Sequence, residues 1–467
     1  MKKLYIIGAI SLLAAGCKPS VDITKEPTAG DAVFSYYMAI GNSLTAGFAD
    51  NSLYVSGQVN SYPQRLFEQF QKVRVHGAEG NFIQPLLHSD NGYGWDGTGT
   101  SITDNRARLV LGWSTNCYGK TSLAPMPLPT FSPDAADASF TNPDAGDQLN
   151  NIAVPGIRVA DYPVDGYGNP INGNPYATRF YHDVTKSPFT ELSYRISRLH
   201  PTFFTLWLGA NDVLGYATAG GQGDGSGSAS PIFGNYYSST DITPPSVFQH
   251  IYDSIVSVVI GTGAKGALIN IPDVTSIPFF TTVPVNGLYL SRQTQVDSLD
   301  AFYRSKNYKF HLGYNNFIVQ DNAGVTRQAV DGELILLNVP QDSISCYGWG
   351  SVLPIKAQYV LTTDEIQNIK LFTDKFNSYI AGAARRNNLA LIDMHSYMAS
   401  LKSGMVYSGV TYTTQFVTGG AFSLDGVHPT PRGYALIANE IIKGINAQYH
   451  STINYCDPNK YDGVRFP

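Results

Sequence analysis

Ser43 sits between Gly41 and Gly47 in AIGNSLTAG, residues 39–47, directly after the apolar run 33–38. A serine becomes a nucleophile when a base takes its proton, a carboxylate orients that base, and N–H donors hold the oxyanion that forms. The chain holds a candidate for each part. In SLDGVHPTPRGY, residues 423–434, Asp425 and His428 stand three apart on one turn bounded by prolines. That spacing lets the carboxylate accept from Nδ1 and leaves Nε2 facing outward toward a hydroxyl. LWLGAND, residues 206–212, brings the Asn211 amide to the end of an apolar run, beside Asp212. An ionised carboxylate cannot donate to an oxyanion, so Asp212 is expected to turn away and brace the loop. NIAVPGIRVADY, residues 151–162, ends a short apolar run at Pro155-Gly156, where a bare backbone N–H can face an anion. Taken singly, each stretch is also an ordinary turn or loop, for which Ser, Gly, Asn and Asp are the usual residues. Asp393-Met394-His395 is a rival pair, but a spacing of two places its side chains on opposite faces if the preceding strand continues.

These residues need a scaffold, and the hydrophobic pattern supplies one. Apolar runs at 33–40, 203–208, 267–271 and 389–392 read as buried parallel strands. Helical periodicity marks 61–70, 189–200, 245–261, 363–387 and 430–448. Strands alternating with helices imply an α/β domain with a mainly parallel sheet covered on both faces. In such sheets a site opens beyond the carboxyl ends of the strands, which is where Ser43 and Asn211 fall. The domain is expected over 31–450, with a tail at 451–467. Insertions are expected at about 71–149, 213–243 and 273–360, built of loops and short strands rich in Gly, Pro, Asn and aromatic residues. Two motif matches are rejected. GTGAKG at 261–266 has the glycine spacing of a dinucleotide loop, yet it follows a helix and precedes a strand, the reverse of what that loop requires. GGQGDG at 220–225 occurs once and reads as a polar loop.

Taken together and in this order, GNSL at 41–44, NIAVPG at 151–156, GAND at 209–212 and DGVHP at 425–429 resemble the four blocks of the GDSL/SGNH hydrolase superfamily of esterases and lipases. The first block departs from the usual pattern, with Asn42 in place of aspartate. The resemblance implies a three-layer flavodoxin-like α/β fold and carboxylic ester hydrolysis through an acyl-enzyme, without metal or cofactor. It implies Ser43 as nucleophile, His428 as base and Asp425 as its orienting carboxylate. The oxyanion hole would come from the Ser43 and Gly156 N–H groups and the Asn211 amide. The implied substrates are lipid esters or O-acetylated glycans. Two other readings share the scaffold: a surface lipoprotein that binds glycan or lipid without catalysis, and an O-acyltransferase whose acceptor alcohol outcompetes water.

The first sixteen residues, with Lys2, Lys3 and an apolar run from Leu4 to Ala15, read as a secretory signal peptide, too short to span a bilayer. Gly16-Cys17 resembles a bacterial lipobox, although Ala14 stands where leucine is usual. Lipidation of Cys17 and a flexible tether over 17–30 are therefore expected, with export to the cell envelope and a lipid membrane as partner through this anchor. With 31 basic and 36 acidic residues the net charge is −5, which argues against a nucleic-acid partner. Cys117, Cys346 and Cys456 allow one disulfide and one leftover thiol in an oxidising compartment, and their spacing matches no zinc pattern. Oligomeric state is not legible in the sequence.

Overall fold

In the computed structural model, which describes residues 26–93, 107–130, 137, 146–170, 173–232, 234–306 and 308–467, the four apolar runs form one parallel sheet. Its strands are β1 (Tyr37–Gly41), β2 (Phe203–Trp207), β3 (Lys265–Ile269) and β4 (Ala390–Ile392), hydrogen-bonded in that order. The expected signal peptide, Cys17 and most of the expected tether lie outside the described residues. Every residue of β1 and β2 is buried, as a sheet covered on both faces requires. Gly41 pairs with Trp207 and Ile269 with Ile392, so the carboxyl ends align along one edge.

Residues 150–154 run beside β1 on its other side. The Ala39 N–H donates to the Asn150 carbonyl at 2.6 Å, and the Ile152 and Val154 N–H groups donate to Ala39 and Gly41 at 3.0 and 3.1 Å. The chain therefore steps one way from β1 to this segment and the other way from β1 to β2. That reversal makes the carboxyl end of β1 the switch point of a doubly wound sheet, the place where such folds open a crevice. Ser43 stands there.

Eight helices matter to the site: the single turn α1 (Ser43–Ala46), α2 (Tyr62–Phe70), α3 (Pro188–Leu199), α4 (Asn211–Thr218), α5 (Pro245–Ile260), α6 (Thr363–Arg386), α7 (Met394–Ser403) and α8 (Pro431–Tyr449). Helices α3, α5 and α6 pack together on one side of the sheet; α8 and α2 pack together against the other. Right-handed crossovers along a sheet of this order require that division. Helix α8 buries Tyr434, Ile437, Ile441 and Ile445 at spacings of three and four, a stripe along one face. It starts sharply because Thr430 accepts from the Gly433 N–H at 3.0 Å and Pro431 occupies its first position. This places its start three residues beyond His428.

The segments outside the alternation differ from one another. Leu109–Thr115 and Thr121–Pro127 form an antiparallel hairpin. Residues 273–360 contain three short strand pairs completed within or just beyond them, helices Gln293–Phe302 and Gln341–Cys346, and two small apolar clusters of their own, one around Phe317 and Val319 and one around Leu299 and Phe310. The Cys117–Cys346 disulfide ties the hairpin to this segment, and Cys456 is a buried free thiol. The expectation of loops and short strands from 213 onward needs correction, since α4 occupies 211–218. Gly215 hid it: a Cβ there would lie 1.9 Å from the Ser239 carbonyl oxygen, so packing demands a glycine that weakens the helical signal.

Candidate active site

The turn that carries Ser43 is shaped by its neighbours. A Cβ on Gly41 would meet Thr45 Oγ1 at 2.0 Å and the Trp207 carbonyl at 2.9 Å, and Gly47 has φ of +82°, so both glycines are required where they stand. Asn42 caps the turn, its Oδ1 accepting from the Leu44 N–H at 3.1 Å. An asparagine at this position caps the turn without a charge. Asn151 adds an outer brace, donating from Nδ2 to the Thr45 carbonyl at 2.9 Å.

Ser43 Oγ lies 2.9 Å from His428 Nε2, and His428 Nδ1 lies 2.9 Å from Asp425 Oδ2. Asp425 is held from several sides. Its Oδ1 accepts from the Val427 and His428 N–H groups, both at 2.8 Å, and from the Ser423 hydroxyl at 3.1 Å; its Oδ2 accepts from the Asn51 N–H at 2.9 Å. Burial pushes the Asp425 carboxyl up, but the His428 ring and these N–H donors outweigh it and hold the group at about 2. The ring of Phe48 packs on the imidazole at 4.6 Å between centroids. Gly426, with φ of +72°, lets the Asp–His turn sit against residues 273–360: the Phe279 N–H donates to the Gly426 carbonyl at 2.9 Å, and a Cβ on Gly426 would strike Leu337.

Asp50 and Asn51 were not singled out in the sequence. Both have positive φ, 52° and 60°, and form the two-residue turn of a tiny hairpin in which Ala49 and Ser52 exchange hydrogen bonds. Asp50 Oδ1 accepts from the Leu424 N–H at 3.0 Å, Oδ2 accepts from the Tyr54 hydroxyl at 2.7 Å, and its own N–H donates to Ser423 Oγ at 3.0 Å. Burial raises the Asp50 carboxyl above its ordinary value, with the Leu424 and Tyr54 donors opposing. Adjacent Asp-Asn, the residues that best tolerate left-handed backbone, was the available signal.

On the other side of Ser43 lie the candidate donors. The Ser43 and Gly156 N–H groups have no acceptor among the described residues, and Gly156 holds φ of +83°. Asn211 opens α4 and donates from Nδ2 to the Ile157 carbonyl at 2.9 Å, which leaves its second amide hydrogen for another acceptor. Asp212 turns away: its Oδ2 accepts from the Val159 N–H at 2.9 Å, and its Oδ1 accepts from the Thr243 hydroxyl at 2.7 Å and the Ala160 N–H at 3.3 Å. The loop after Gly156 is further tied by Arg158, which donates to Asp161 at 2.7 Å and to the Tyr237 carbonyl at 2.9 Å. Arg158 and Asp161, a buried i,i+3 pair, also escaped the sequence reading.

The rival pair lies elsewhere. Strand β4 stops at Ile392 rather than continuing, and Asp393 caps α7, accepting from the Ser396 N–H at 3.1 Å and from Asn270 Nδ2 at 2.9 Å. Among the described residues, no cluster of three or more His, Cys, Asp or Glu side chains could hold a metal ion. A hydroxyl, an imidazole and a carboxylate in line, flanked by unpaired N–H groups, can take a proton from the hydroxyl and hold a negative oxygen beside it.

The family model for GDSL-like lipases and acylhydrolases matches residues 37–441. Among solved structures, a GDSL-like lipase from Parabacteroides merdae is 10% identical, covering 90% of this chain and 99% of that one at a TM-score of 0.32. An extracellular lipase from Streptomyces rimosus is 12% identical, covering 89% and 97% at a TM-score of 0.32. A GDSL-like lipase from Bacteroides thetaiotaomicron is 10% identical, covering 64% and 76% at a TM-score of 0.26. No curated protein matches the chain.

Proposed function

The chain belongs to the GDSL-like lipase/acylhydrolase family, and from this membership and the site geometry we propose that it hydrolyses carboxylic esters through an acyl-enzyme on Ser43. The observation that carries the reading is the continuous line from Ser43 Oγ through His428 to Asp425, with both gaps at 2.9 Å. His428 takes the serine proton as Oγ attacks the carbonyl carbon, and Asp425 steadies the imidazolium that forms. The tetrahedral oxygen is held by the Ser43 and Gly156 N–H groups and the free hydrogen of the Asn211 amide. His428 then protonates the leaving alcohol, and the same imidazole activates the water that releases the acid.

Export and lipidation at Cys17 belong to this proposal, supported by the sequence pattern alone. The test of the catalytic reading is a serine-directed phosphonate. It should label Ser43, abolish hydrolysis of an aryl acetate, and fail to label a Ser43→Ala variant. An unlabelled Ser43 in a protein that still cleaves the ester would overturn the assignment.

A further inference from the structure

Two cavities share Asn211 and Leu214 beside Ser43, one lined almost wholly by apolar groups and the other by a mixture of apolar and polar ones. The first is a slot lined by Ser43, His428 and Asn211 and otherwise by mainly apolar side chains. Met394, Met398 and Leu401 of α7 form one wall and Ile437 of α8 another. From Met394 to Leu401 the wall runs two helical turns, about 10 Å at the α-helical rise. The second is an open groove lined by Gly156 and Asn211 and by Asp165, Tyr167, Ser239 and Thr240. Asn211 and Leu214 line both, so the proposed oxyanion pocket lies at the junction.

We propose that the substrate is a fatty acyl ester of a polyhydroxylated alcohol, its hydrocarbon chain entering the α7–α8 slot and its hydroxyl-rich alcohol lying in the Gly156–Ser239 groove. The inference rests on the ester-hydrolysis reading of Ser43. The reverse placement is disfavoured by desolvation: a polyol in the slot would lose hydrogen bonds to water with few partners to replace them. A hydrocarbon in the groove would leave its polar rim unused. An acetyl group would fill only the mouth of the slot and leave the methionine wall empty, whereas flexible methionine side chains adapt to a chain of methylenes. In the groove the exposed Asp165 carboxylate and Ser239 hydroxyl supply acceptors, and the Ser239 and Thr240 hydroxyls supply donors, for a ring of alcohol groups. The acid product leaves from one side and the alcohol from the other, so water can reach the acyl-enzyme through the groove once the alcohol has gone.

The test uses the folded protein, with Ser43 first shown to be labelled by the phosphonate. Across methyl esters from acetate to octanoate, kcat/KM should rise about fourfold per added methylene until the slot is full. Glucose octanoate should be cleaved about tenfold faster than methyl octanoate, the worth of one or two added hydrogen bonds. Met398→Trp should shift the preferred chain to shorter acids, with Leu401→Phe as a milder plug if the first variant folds poorly. Ser239→Trp should lower the ratio of glucose octanoate to methyl octanoate. A profile that peaks at acetate, or a glucose-to-methyl ratio near one that Ser239→Trp does not move, overturns this inference while a labelled Ser43 keeps the hydrolase reading intact. Failure to label Ser43 overturns the hydrolase reading instead.

Discussion

The Asn51 N–H donates to Asp425 Oδ2 across 374 residues of sequence, and it reaches the same oxygen that faces His428 Nδ1. The turn just past the serine therefore helps set the carboxylate that orients the imidazole. Only the backbone of Asn51 is used, and its φ of 60° suits glycine equally. Asn51→Gly should keep near-normal kcat. Asn51→Pro removes the donor and cannot adopt this φ, and it should lower kcat by about tenfold or more while costing about 1–3 kcal/mol of stability. Steady-state kinetics and urea melts on the two variants check this; equal activity in both would show that the bond does not position Asp425.

Ser43→Ala and His428→Ala should each reduce ester hydrolysis by about 10³-fold or more, and the double variant should be little worse than either single one, because groups that act as a unit are not additive. His395→Ala should stay active, since its neighbour Asp393 is engaged in capping α7. Single-turnover rates on all four proteins test the assignment, and a crippled His395→Ala beside an active His428→Ala would reverse it.

What the sequence revealed and what it hid have the same physical origin. The run 203–208 is legible as a strand because a strand buried on both faces must be continuously apolar. Asp425 and His428 are legible because three residues on one turn put them in reach, whatever the rest of the chain does. The Asp50–Asn51 brace is not legible, since its partners lie at Ser423 to Asp425, and an adjacent Asp-Asn pair signals a turn without showing what that turn holds. Helix α4 was obscured by a glycine demanded by packing against Ser239, a contact known only once the chain has folded. The pairing of Cys117 with Cys346 likewise required the fold, because three thiols admit three pairings.

That disulfide closes a sequence separation of 229 residues and joins the hairpin to the segment that packs against Gly426. Cys117→Ser should lower the midpoint of thermal unfolding, with about 2–5 kcal/mol lost. Cys456 lies buried and its thiol is pushed up by burial to about 11, so it should resist thiol reagents in the native protein. Mass spectrometry after alkylation, native and then denatured, checks this.

If the lipobox reading of Cys17 holds, Cys17→Ser should release the protein from membranes, since an anchor without acyl chains loses its burial energy. Fractionation after a salt wash is the measurement. Retention of the variant on the membrane would count against it.

Asp212 should reveal itself through pH. Burial pushes its carboxyl up from 3.8 to about 6, against the Val159 N–H, the Thr243 hydroxyl and Arg158. A raised folded-state value means that protonated Asp212 favours the folded protein fully below the unfolded value, and that this contribution is lost as pH rises through the folded one. Asp212→Asn does not titrate there and cannot accept from every donor at once. It should therefore be less stable than the native protein by a margin widest near about pH 4 and narrower near about pH 7. Thermal melts of both proteins across this range check the sign; a margin that grows with pH would refute it.

Asn211 separates chemistry from scaffolding more sharply than its neighbour does. Its amide already donates one hydrogen to Ile157, and the second is proposed to meet an oxygen that becomes fully anionic only in the transition state. Asn211→Ala should therefore lower kcat by about 10² to 10³ while leaving KM nearly unchanged. Removing the bond to Ile157 will also loosen the loop beyond Gly156, so part of the loss could be positional. Asp212→Asn provides the control, because it disturbs the Val159 end of the same loop without touching the proposed donor. If the loop alone mattered, both variants would lose kcat alike. Retained kcat in Asp212→Asn beside a collapsed kcat in Asn211→Ala would instead assign the loss to the missing hydrogen bond, and wild-type turnover with a raised KM in Asn211→Ala would remove Asn211 from the oxyanion hole.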